Sequence, residues 1–83
     1  MEKLIWSDQA RAQLRAIDQE TALRLLRGLS RFLKTNAGDV KQLQDFSPPR
    51  YRLRIGDWRL IFSKRAVDVI EIIQVSNRKD AYR

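Results

Sequence analysis

The stretch Arg50–Phe62, reading RYRLRIGDWRLIF, constrains the fold more than any other part of the chain. Gly56-Asp57 separates two runs in which apolar and basic residues alternate, and a two-residue turn at that point joins them as a β-hairpin. The turn sets the register: Ile55 opposes Trp58, Leu53 opposes Leu60 and Tyr51 opposes Phe62. Paired residues share a face and faces alternate along a strand, so all six side chains fall on one side, which is apolar throughout. That side must pack on something. The same parity gathers Arg50, Arg52, Arg54 and Arg59 on the opposite side, with Arg54 directly across from Arg59. Like charges so placed cost up to about 1 kcal/mol when exposed. Such a face can serve solubility and guard against edge pairing. A solubilising face normally mixes signs, however, and an all-arginine one fits an anion lying over it.

Helices are available to cover the apolar side. Lys3–Trp6 reads as a short first strand, and Ser7 is a good N-cap with Asp8 in the first turn behind it. Ala10, Leu14 and Ile17 repeat at helical spacing. Asp18 can cap a second helix with Glu20 in its first turn, and Ala22, Leu25, Leu26, Leu29, Phe32 and Leu33 form its apolar stripe. Arg24, Arg27, Arg31 and Lys34 lie mostly off that stripe. Asn36-Ala37-Gly38-Asp39 ends this helix, with Gly38 expected in the left-handed conformation. Residues 40–49 read as a connector closed by Pro48-Pro49, which excludes helix. Val67–Ser76 is a third strand-like run after the connector. It carries Val69, Ile73 and Val75 on one side and Ile70 and Ile72 on the other, as in a central strand partly covered on both faces. The order β-α-α-β-β-β predicts one α+β domain over residues 1–83, a helical hairpin packed on one face of a largely antiparallel four-stranded sheet.

Composition narrows the chemistry. Among 83 residues there is no cysteine and no histidine. This excludes disulfides and thiolate metal sites and removes the commonest general base. Asp57, Asp68, Glu71 and Asp80 are scattered without ligand spacing, so no metal or cofactor is called for. No apolar run approaches the roughly 20 residues of a membrane span, and the chain reads as soluble and cytoplasmic. Seventeen Lys and Arg against ten Asp and Glu give a net charge of +7. The excess is concentrated in the second half, which makes nucleic acid the leading partner there. Most of the basic residues are arginine, suited to bidentate phosphate contacts and to stacking on bases.

With Trp6-Ser7 opening the first helix, Leu43 before the connector, YRLRIGDWR at Tyr51–Arg59 and a closing Asn77-Arg78-Lys79-Asp80-Ala81-Tyr82, the sequence resembles the RelE/ParE toxin superfamily over nearly its whole length. The resemblance implies the β-α-α-β-β-β fold and a cognate antitoxin protein as partner. For RelE-type members it also implies ribosome-dependent cleavage of mRNA in the A site, without a small-molecule ligand or a membrane. Carried over by position, Arg52 and Arg54 match the family's basic pair, Arg59 matches the arginine of the next strand, and Arg78 and Tyr82 match the C-terminal pair. Arg50, Lys79 and Arg83 flank this set as expected RNA contacts. In the best-known pattern the basic pair is lysine, and Asn77 stands where many relatives carry histidine. Both departures bear on which group acts as general base. A ParE-type inhibitor of DNA gyrase is the alternative on the same fold, and a non-catalytic nucleic-acid-binding module is a third. The joint presence of Arg59, Arg78 and Tyr82 favours the nuclease.

Overall fold

In the computed structural model, which describes residues 3–77, both helix starts lie where their capping residues place them. Ser7 Oγ accepts from the Ala10 N–H at 3.0 Å and opens α1, Asp8–Arg15. Asp18 accepts from the Thr21 N–H at 3.0 Å and opens α2, Gln19–Thr35. The left-handed residue that ends α2 is Asn36, at φ 58°, and not Gly38. Asparagine tolerates that region well enough to take the role two residues earlier.

The strands are β1 (Lys3–Trp6), β2 (Asp39–Leu43), β3 (Arg50–Ile55), β4 (Trp58–Ala66) and β5 (Val69–Asn77). They form one sheet in the order β1-β5-β4-β3-β2, with β1 parallel to β5 and every other pair antiparallel. The expected four-stranded sheet therefore has a fifth strand, because the front of the presumed connector pairs along the free edge of β3. The β3–β4 register is the one that parity requires, with Ile55 opposite Trp58, Leu53 opposite Leu60 and Tyr51 opposite Phe62.

The apolar side of this hairpin is the floor of the core. Leu53, Leu60 and Phe62 are buried there against Leu25, Leu29 and Phe32 of α2 and Ala10 of α1. Each fully buried large side chain contributes about 1.5–3 kcal/mol relative to exposure. The Phe62 ring stacks on Tyr51 at 5.3 Å and meets Phe32 at a tilt at 5.7 Å. Helix α2 comes close to the end of β3 at Gly28, where a Cβ would stand 2.7 Å from Ile55 Cδ1.

Strand β5 resolves its mixed pattern with a bulge. Gln74 pairs with Ile61 and Ile72 with Phe62, so Ile73 is an extra residue between them. That insertion reverses the parity and brings Ile70, Ile72 and Val75, all buried, onto the helical side together. The expected two-sided apolar strand is thus a one-sided strand with a phase shift. The shift is tied down locally. Ser7 Oγ, besides capping α1, donates to the Ile73 carbonyl at 2.9 Å. Beyond the end of β1, Gln13 Oε1 accepts from the Val75 N–H at 2.6 Å. Among the described residues no helix lies over the other side of the sheet, and that side carries Arg50, Arg52, Arg54 and Arg59. Among the described residues no helix is long and apolar enough to cross a membrane.

Candidate nucleic-acid interface

The open side of the sheet can be read as rows running across the strands. One row is Asp39, Arg54, Arg59 and Ser76, from β2 through β3 and β4 to β5. The next is Lys41, Arg52, Ile61 and Gln74. The third is Leu43, Arg50, Ser63, Glu71 and Ile5. Strands lie about 4.8 Å apart and neighbouring residues on one face about 7 Å apart along a strand. Arg52, Arg54 and Arg59 therefore share a patch small enough for one phosphodiester and its neighbours.

The three differ in how they are held. Arg54 is exposed, whereas Arg52 and Arg59 are half-buried, with their stems against the sheet. Arg52 Nε is buried without a hydrogen-bond partner among the described residues. An unmatched buried donor costs stability, and it fits an arginine held for a ligand and not for the fold. Arg50 lies one row further along, its guanidinium over the Phe46 ring at 4.6 Å. Such a contact fixes a cation at the margin of a binding face. Ser63, in the same row, is almost fully buried.

The sheet thus assembles Arg50, Arg52, Arg54 and Arg59 of the expected site on one face. Arg78, Lys79, Tyr82 and Arg83 lie outside the described residues. Two charged residues on this face escaped sequence reading, Asp39 and Lys41. Both belong to β2, whose apolar residues Val40 and Leu43 fall on opposite faces, so no alternation in the sequence marked the strand. On the strands of the open face, among the described residues, the acids are Asp39 and Glu71. Glu71 is paired with Arg65 at 3.8 Å, a part-exposed contact of small worth. Positive charge dominates the remainder. Guanidinium groups at this spacing can grip a phosphate bidentately and stabilise added negative charge on it.

Comparison with known proteins gives a consistent result. The family model described as the ParE toxin of the type II toxin–antitoxin system, parDE, matches residues 4–82. A chain of the archaeal RelE–RelB complex from Pyrococcus horikoshii OT3 superposes with a TM-score of 0.74 at 24% identity, covering 93% of this chain and 94% of that one. A chain of the RelB–RelE antitoxin–toxin complex from Methanococcus jannaschii gives 0.73 at 18% identity, covering 94% of each. YafQ from E. coli strain BL21(DE3) gives 0.64 at 17% identity over 100% of both chains. At these identities the structural matches establish a shared fold. No curated protein matches the sequence significantly.

Proposed function

We propose that this chain, which belongs to the family of ParE toxins of type II toxin–antitoxin systems, acts as a toxin by cleaving ribosome-bound mRNA. The observation that carries this reading is the Arg54–Arg59 pair, set side by side on the uncovered sheet face with Arg52 in the adjoining row. A fold gains nothing from opposed arginines, whereas a phosphate does.

RNA brings its own nucleophile, the 2′-hydroxyl. The protein then has to align it with the scissile phosphate and stabilise the phosphorane-like transition state. In this scheme Arg54 and Arg59 hold the phosphate and meet the charge that develops on it. Arg52 positions the adjoining backbone. Arg78 assists the leaving 5′-oxygen electrostatically, and Tyr82 stacks on a base. Arginine remains protonated at any relevant pH, so these groups act by charge and not by proton transfer. A site of this kind is slow on free RNA and relies on the ribosome for substrate geometry.

Type II systems pair a toxin with an antitoxin, and two of the solved structures sharing the fold are RelE–RelB complexes. A cognate antitoxin covering the basic face with an acidic or extended segment follows from the same reading. Arg54→Glu should then weaken the complex, and an unchanged affinity would place the antitoxin elsewhere.

A gyrase inhibitor is the second reading, favoured by the description of the matching family. The two separate cleanly: one assay follows mRNA on ribosomes and as free RNA, the other follows DNA supercoiling by gyrase. Cleavage confined to ribosome-bound mRNA supports the nuclease. Intact mRNA together with blocked supercoiling supports the inhibitor.

A further inference from the structure

We propose that Asp39 is the general base of the cleavage reaction, a role that rests on the nuclease reading above and completes it. The chain has no histidine, and the arginines of the site do not give up protons. The 2′-hydroxyl nevertheless has to lose one as it attacks. Strand β2 supplies the missing acceptor. Asp39 opposes Arg54, which opposes Arg59, so a carboxylate and two guanidinium groups stand in one row on three adjacent strands. Asp39 is exposed, and among the described residues it makes no ion pair. Among the described residues its oxygens accept no side-chain hydrogen bond either.

Three other carboxylates of the sheet and its hairpin turns are placed less well. Glu71 lies two rows away and is engaged by Arg65 at 3.8 Å. Asp57 sits in the β3–β4 turn and Asp68 in the β4–β5 turn, away from the strand rows. Lys41, the other β2 side chain near the patch, lies beside Arg52 in the next row and adds positive charge there.

Neighbouring side chains on one sheet face have Cβ atoms about 4.5–5.5 Å apart. With a phosphate held between Arg54 and Arg59 and its 3′-linked ribose over Arg54, the 2′-hydroxyl comes within reach of Asp39. The O2′–H bond breaks and its proton passes to an Asp39 carboxylate oxygen while O2′ bonds to phosphorus. The P–O5′ bond breaks, and the departing oxygen takes a proton from water. The products are a 2′,3′-cyclic phosphate and a 5′-hydroxyl, and the proton on Asp39 neutralises the hydroxide left behind.

An acid beside an RNA-binding patch repels the ligand, and this gives the test its sign. Were Asp39 present only to offset Arg54 or to discourage pairing at the β2 edge, Asp39→Asn would tighten RNA binding and cleavage would rise with it. As general base, Asp39→Asn leaves binding equal or tighter and slows cleavage by about 10²–10⁴-fold. The experiment measures single-turnover cleavage of a defined ribosome-bound mRNA. Binding is measured in parallel with the same mRNA carrying 2′-O-methyl riboses, which cannot be cut. Asp39→Ser is the second variant, and circular dichroism confirms that each folds. Asp39→Glu should restore part of the rate. Cleavage by Asp39→Asn at or above the parent rate would overturn the assignment while leaving the nuclease reading intact. Failure of the parent protein to cut at all would overturn both.

Discussion

Gly28→Ala should destabilise the protein although it places a better helix former in mid-helix. Alanine gains about 0.8–1.0 kcal/mol over glycine in an exposed helix interior. At Gly28 the added Cβ would stand 2.7 Å from Ile55 Cδ1, 3.1 Å from Cγ1 and 3.3 Å from Cγ2. Because three carbons of one side chain are too close, rotating the terminal methyl relieves only the worst contact. The helix or the end of β3 has to give. Overpacking of this kind costs about 1–3 kcal/mol, so the net effect runs from near zero to about 2 kcal/mol destabilising. Ile55→Val removes Cδ1 and alone should cost about 0.5–1.5 kcal/mol. In the I55V background the alanine should be better tolerated, giving a favourable coupling of about 1 kcal/mol in a double-mutant cycle. Urea unfolding followed by circular dichroism reads this as a shift in midpoint at constant slope. An alanine variant more stable than its parent by the full propensity gain, with no coupling to Ile55, would refute the close seating of α2 on β3.

Three further outcomes follow from the same geometry. Ser7→Ala removes both the α1 cap and the donor to the Ile73 carbonyl, and should cost about 1–2 kcal/mol in urea unfolding. The Asp18 carboxyl is held below its ordinary value of 3.8, chiefly by the Thr21 backbone N–H that donates to it. A depressed carboxyl stabilises the fold above that value and loses the contribution as pH falls through the lower folded one. Asp18→Asn should therefore keep the cap and flatten stability against pH below about 4 in acid titration followed by circular dichroism. Replacing Arg52 or Arg54 by glutamine should weaken binding to single-stranded RNA and reduce the slope of log K against log salt by about 0.7 for each charge removed.

Much of this architecture can be read from local chemistry. Ser7 and Asp18 announce the helices, and the Gly56-Asp57 turn makes the β3–β4 register a matter of parity. The facing of Arg50, Arg52, Arg54 and Arg59 follows from that alone, because a single turn fixes every pair. Strand β2 is different. Its apolar residues, Val40 and Leu43, fall on opposite faces, so no period-two pattern marks it. It forms because β3 offers an unpaired edge, which is a tertiary cause. Asp39 and Lys41 were hidden with it. In β5 the bulge at Ile73 breaks the alternation, and what fixes it lies far off in sequence, at Ser7. The parallel pairing of β1 with β5 joins strands from the two ends of the described residues, which no local pattern marks.

On the proposed reading the arginine row of the open sheet face cuts mRNA on the ribosome. Primer extension on mRNA from a reconstituted translation reaction tests it most directly, comparing the parent protein with Arg54→Gln and Arg59→Ala. Cuts within ribosome-occupied codons should appear with the parent protein and fade in both variants, each of which remains folded by circular dichroism. Cuts that persist undiminished in both variants, or full-length mRNA when the parent protein is present with active ribosomes, would contradict it.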